Sequence, residues 1–230
     1  MRGRIMKLKP MVGAQTIVAC ALLGGIPARA TTIEIAVATK TGISNITTEA
    51  TGTGSTGADL VLFPYDNYLV TVAASDPSPL DLDSATLDVS GKSSKPLYVY
   101  VTETGLTSQQ SVLNFQSQFS ASVPSGWSEF ETTYVSTTDK PYAETTELAS
   151  KTGSGTKSAT TTGVSVGPAG SMFSVTEVYE FISDGLAGLD VSAESVQAAP
   201  APSIGAGIPS MLAIGAMLLG TKLQARWRRS

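Results

Sequence analysis

The chain has 230 residues, a formal net charge of −4, a pI near 4.9, one cysteine and no histidine. Without imidazole, neither a Ser-His-Asp or Cys-His nucleophile system nor a histidine-bearing metal cage can be assembled. The length suits one domain of ordinary size with appendages.

Charge is sharply partitioned. Every arginine lies near an end: Arg2, Arg4 and Arg29, then Arg226, Arg228 and Arg229. All nineteen acids fall between Glu34 and Glu194, where Lys40, Lys92, Lys95, Lys140, Lys151 and Lys157 are the only cations, so this middle carries −13. A body so acidic repels phosphate backbones, and nucleic-acid binding is not expected.

At the N-terminus, Arg2, Arg4, Lys7 and Lys9 precede an apolar run from Ile17 to Ile26 and the small-x-small site Ala28-Arg29-Ala30. A bilayer span needs roughly twenty apolar residues. This shorter run therefore reads as a secretory signal over 1–30, cut by signal peptidase so that the mature chain begins at Thr31. Ile17-Val18-Ala19-Cys20 leaves a lipoprotein signal open as the competing reading. In the first reading Cys20 is discarded, and export without disulfides is a bacterial habit.

The body, 31–197, reads as strands. Thr32–Val37 alternates with Ile33 and Ile35 on one face; Tyr68–Ala73 and Ala85–Val89 behave likewise. Two low-complexity stretches, Thr47–Gly57 and Ser150–Gly163, are expected to form surface loops, because they hold too little apolar area to offset ordering. Leu97, Val99 and Val101 are placed inward with Tyr98 and Tyr100 outward. Val112, Phe115 and Phe119 fit either a helix or a strand carrying Phe115, Ser117, Phe119 and Ala121. Farther on, Phe173, Val175, Glu177, Tyr179 and Phe181 share one face. With 28 serines and 28 threonines and turn residues every ten positions or so, the pattern predicts an antiparallel β-sandwich.

Several motifs tempt a chemical reading. Gly52, Gly54 and Gly57 spell G-x-G-x-x-G, but the strand-like Leu60–Phe63 follows where a dinucleotide site needs a helix. Ser154-x-x-Lys157 and Lys151-Thr152-Gly153 match two elements of penicillin-recognising enzymes, in the wrong order and abutting. Asp76, Asp81, Asp83 and Asp88 invite calcium, and Asp81 with Asp83 are weak metal candidates; a solvated sheet face explains them equally well. Glu129 and Glu131 have the look of a glycosidase pair but are expected to face solvent. Tyr98, Tyr100 and Trp127 offer flat faces for sugar rings, against the commoner use of such rings in cross-strand pairing and core filling. No cofactor is implied.

Beyond Ala198 lie the linker Ala198–Ser203, the nineteen uncharged residues Ser203–Thr221, and a tail with Lys222, Arg226, Trp227, Arg228 and Arg229. As a helix of about 1.5 Å per residue, that segment would span roughly 28 Å, close to the hydrocarbon thickness. The cations would then hold the tail in the cytoplasm and the acidic body outside. Pro200-Ala201-Pro202, a short apolar helix and a terminal arginine cluster, at the end of an exported Ser/Thr-rich chain, resemble the PEP-CTERM sorting domains handled by the membrane protease-transpeptidase exosortase. Pro200-Ala201-Pro202 stands where that class usually has Pro-Glu-Pro. Pro79–Ser84, Leu97–Leu106, Pro124–Trp127 and Phe173–Tyr179 likewise resemble uncharacterised exported proteins with this kind of tail.

The resemblance implies cleavage or transfer near Pro200-Ala201-Pro202 by an exosortase-type partner, after anchoring in membrane lipid, and delivery to the cell surface or extracellular matrix. The expected role is structural or adhesive, without catalysis and with extracellular polysaccharide as a possible partner. The alternatives are a carbohydrate-binding module or, less favoured, a carboxylate-dependent hydrolase.

Overall fold

A computed structural model describes residues 31–39, 46–54, 56–78, 80–185 and 187–200. The expected signal segment with Ala28, Ala30 and Cys20, the motif residues Ala201 and Pro202, the apolar segment and the cations Lys222, Arg226, Arg228 and Arg229 lie outside these residues. Among the described residues no helix is long and apolar enough to cross a membrane.

Among the described residues twelve strands follow one another: β1 (Thr32–Ala38), β2 (Thr47–Thr53), β3 (Ala58–Tyr65), β4 (Tyr68–Ser78), β5 (Asp81–Gly91), β6 (Leu97–Thr107), β7 (Val112–Ser122), β8 (Trp127–Ser136), β9 (Thr146–Thr152), β10 (Gly155–Ser165), β11 (Met172–Ser183) and β12 (Gly188–Pro200). They form two six-stranded sheets, ordered β2-β1-β6-β11-β8-β9 and β10-β7-β12-β5-β4-β3. Every pairing is antiparallel. The all-β antiparallel architecture is thus the one that the alternation predicts.

Strand direction sorts the connections into two poles. Following the registers, the 66–67, 92–96, 123–126 and 153–154 turns and the connection from β11 to β12 that begins at 184–185 gather at one end, here called distal. Thr31 and the end of β12 at Pro200 both fall at the other, basal end.

The core follows from side-chain alternation, since successive residues of a strand face opposite ways. Ile33 and Ile35, Val99 and Val101, Phe173 and Phe181 from one sheet meet Val70, Val72, Leu87, Val89, Phe115 and Phe119 from the other, all buried. The Val112–Phe119 segment resolves as a strand, with Phe115, Ser117, Phe119 and Ala121 inward.

Two expectations are corrected. The low-complexity stretches are not loops: they supply β2, the last three residues of β9 and most of β10, all at sheet edges. Threonine's branched side chain suits a pleated surface, and an edge strand asks for little burial. The segment from Ala198 is not yet linker either, because Ala198, Ala199 and Pro200 continue the β12 ladder opposite Phe115, Asn114 and Leu113.

Candidate functional site

The alternation that fills the core with apolar groups also draws carboxylates into it. On β8, Trp127, Glu129, Glu131 and Thr133 occupy alternate positions and are all buried. The glutamates therefore face inward, correcting the solvent-facing expectation. On β11, the shared inner face carries Glu177 between Val175 and Tyr179, and Glu177 and Tyr179 are 0% exposed. Across the gap stand Ser84 of β5, Ser117 of β7, and Asp190 and Glu194 of β12, each buried. From the rim, the edge strand β9 sends Lys151 inward.

These groups form one polar seam. Lys151 Nζ lies 2.8 Å from Glu194 Oε1 and 3.3 Å from Glu131 Oε2, and donates to the Ser117 hydroxyl. Ser117 in turn donates to Glu194 Oε1, and Thr133 donates to Glu131 Oε1 at 2.7 Å. Ser84 donates to Glu177 Oε2, to which Tyr179 also donates at 3.1 Å.

Burial penalises the charged form, so it is the first cause raising each acid here. Burial and then the Glu194 charge raise Glu131, against the opposing pull of Lys151. Burial and Glu194 lift Glu177 well above the usual carboxylate range. Glu129 is raised by burial and then by Asp190, and Glu194 by burial with Lys151 opposing. At neutral pH part of this seam is held as neutral acid.

At the distal pole, Val123, Trp127, Ser128, Glu129, Phe130, Thr152, Gly153 and Ser154 line a cleft of about 320 Å³. Its position is set by a close approach. A Cβ on Gly188 would lie 2.8 Å from both Trp127 Nε1 and Pro124 Cγ, so only glycine lets β12 start against the indole. Trp127 is 7% exposed, while Phe130 on the opposite strand face is 38% exposed.

Tyr98 and Tyr100 point away from the main core, as the alternation predicts, but neither offers a free ring. They are 8% and 0% exposed, packed with Ala36, Ala38, Tyr142 and Val178 in a second small core on the outer face of the first sheet. Tyr142 meets Tyr100 edge-on at 5.9 Å. The 137–145 connection supplying Tyr142 carries no periodic signal that would have announced the cover. Rings buried this way present no stacking face to a sugar.

At the basal pole, Gln197 Nε2 donates to Asp81 Oδ2 at 3.2 Å. Burial and the Asp81 charge raise Asp83. Among the described residues no group of three or more acids is arranged to hold a metal ion. Gly54 and Gly57 form a tight connection between β2 and β3, with Gly57 N donating to Thr53 O at 2.8 Å, and a strand follows rather than a helix. Ser154 Oγ accepts from Val123 N, while Lys151 is engaged in the seam and Lys157 is exposed on β10. The two penicillin-enzyme motifs are therefore not brought into one site.

No family model and no curated protein matches the chain. Among solved structures, the enzymatically active domain of bacteriophage CBA120 tailspike protein 4 is 13% identical at TM-score 0.31 over 58% of this chain. This chain spans 20% of that one. TmCBM61, solved with β-1,4-galactotriose, is 9% identical at TM-score 0.32, covering 59% of this chain and 89% of its own. The CBM22-1 xylan-binding domain of Paenibacillus barcinonensis Xyn10C is 9% identical at TM-score 0.31, covering 59% and 88%. These are remote likenesses; the two-sheet architecture rests on the ladders themselves.

Proposed function

We propose that the chain is an exported structural or adhesive β-sandwich module. In this reading it is held at a membrane by its C-terminal segment and released near Pro200-Ala201-Pro202 to the cell surface or extracellular matrix. The observation that supports this is the shared basal pole: Thr31 and Pro200 leave the body at the same end. A body tethered through its C-terminus then presents its five distal turns outward. Because β12 stays paired until Pro200, a cut just beyond it removes the tether without disturbing the ladder.

The test is expression with a C-terminal tag in a host carrying an exosortase and in its deletion sibling. Loss of the tag and surface appearance only in the first host are the expected outcome. An intact tagged chain soluble in the cytosol of both would overturn the reading.

The distal cleft favours a second reading, a carbohydrate-binding module. An aromatic wall beside Ser128, Thr152 and Ser154 hydroxyls suits a sugar, whose faces are apolar and whose rim is polar. Retention of the protein on the producing cell's own polysaccharide, lost in Phe130→Ala with the melting curve unchanged, would support it. Equal retention of both proteins would remove the cleft from consideration.

A further inference from the structure

We propose that Lys151 and Glu194 are the two halves of a self-forming isopeptide crosslink that joins β9 of the first sheet to β12 of the second. The site stands independently of any role in display or binding.

The geometry supplies each part of the reaction. Nucleophile and electrophile are in contact, with Lys151 Nζ 2.8 Å from Glu194 Oε1, and their side chains are 4% and 0% exposed. A second carboxyl, Glu131, lies 3.3 Å from the same nitrogen and is also 0% exposed. The hydrogen bonds from Ser117 and Thr133, like that from Lys151, fall on Oε1 of Glu194, whereas Oε2 is buried without a hydrogen-bond partner. A carboxylate so unevenly served gives up an oxygen at little loss.

Protons are available where they are needed. The Lys151 ammonium faces Glu131 and Glu194, Glu177 feels the charges of both these carboxylates, and burial raises all three acids. Moving a proton from Nζ to a carboxylate leaves the number of protons in the seam unchanged while removing a buried ion pair, which an apolar interior disfavours.

The step balances without a co-reactant. Nζ gives a proton to Glu131, and its lone pair adds to Cδ of protonated Glu194. Glu131 returns that proton to the departing hydroxyl and takes the second proton from Nζ as the Cδ–O bond breaks, so that a neutral Nζ–Cδ amide, one water and a protonated Glu131 are left. Nothing is oxidised or reduced. Position and proximity carry the rate, since both strands hold their side chains in a fixed, dry contact. Attack requires Nζ to move out of the carboxylate plane, a shift open to a four-carbon side chain.

The test is mass spectrometry on the full chain purified from exporting cells and denatured before measurement. The expected result is a mass about 18 Da below the uncrosslinked chain, from loss of one water. A tryptic map should then show no cleavage after Lys151 and a branched species joining the Lys151 peptide to the Glu194 peptide. Lys151→Arg should restore the full mass. A wild-type chain of full mass, cut completely after Lys151, would overturn the proposal without reference to any variant. So would a branch that fragmentation places on Glu131.

Discussion

The indole of Trp127 meets the ring of Tyr68 edge-on, with centroids 5.9 Å apart and planes at 85°, although one stands on β8 of the first sheet and the other on β4 of the second. The pair closes the distal end of the core, and Tyr68 is fixed from behind by its hydroxyl bond to Lys95 O at 2.8 Å. Trp127→Ala removes a large buried ring and leaves a cavity, so a loss of about 3–5 kcal/mol is expected in urea unfolding. A loss under about 1 kcal/mol would mean that the distal end is already loose.

The interior acids set the direction of the pH response. Burial is the first cause raising both Glu103, to about 8, and Glu129, to about 9, from an ordinary 4.5. The folded state keeps protons that the unfolded chain releases, so stability is greatest below about pH 4.5 and declines as pH rises towards 8–9. Each such group lowers stability by about 1.4 kcal/mol per pH unit inside that window, which is ~3–5 °C in Tm for a domain of this size. Calorimetry at pH 5 and pH 8 should show the lower Tm at pH 8; the reverse order would contradict the buried placement of these acids.

Glu177 gives a sharper version of that test. Its hydrogen bonds come from Ser84 and Tyr179, both of which donate. A glutamine has nearly the shape of the neutral acid and no proton to lose. Glu177→Gln should therefore lie within about 1 kcal/mol of wild type at pH 5 and match or exceed it at pH 8.5, with a shallower slope between. A parallel slope in both proteins would show that Glu177 does not contribute to the pH response.

The outer tyrosine cluster predicts a delayed phenol titration. Burial pushes Tyr142 and Tyr98 upward, aided by Glu34 and Glu180 respectively, and Tyr179 is raised well above its ordinary value by burial and Glu177. Of seven tyrosines in the chain, these three should stay protonated at pH 11 while the fold holds, seen as missing phenolate absorbance. Tyr142→Phe loses the 2.7 Å bond between the phenol and Thr48 and should cost about 1 kcal/mol. A complete seven-residue titration of native protein would refute the covered arrangement.

Much of this architecture is legible in the alternation. Leu97, Val99 and Val101, and the five inner residues of β11 from Phe173 to Phe181, are placed correctly because period 2 assigns a face without knowledge of partners. What period 2 does not reveal is which face is covered. Glu129 and Glu131 lie on the buried face of β8, and their type argues for solvent until Lys151, Ser117 and Asp190 arrive from other strands. Tyr98 and Tyr100 fail in the opposite sense, since the outer face is capped by Tyr142 from a connection with no pattern. Thr47–Gly57 and Ser150–Gly163 resist assignment for another reason: edge strands draw on backbone pairing from one neighbour and need few apolar side chains.

Those four outer strands have a further consequence for crowded conditions. β2, β3, β9 and β10 leave one row of backbone donors and acceptors each without a neighbouring strand in its sheet. Yet β10 is almost wholly exposed, built mainly from hydroxyl-bearing residues, and interrupted by a register shift between Thr161 and Val164; β3 shifts likewise between Leu60 and Phe63. β10 is a hydrated rim and β3, which exposes Val61 and Leu62, is broken at those two residues, so neither makes a good template for a second copy. Molecules packed shoulder to shoulder would accordingly stay separate particles and not knit into ribbons.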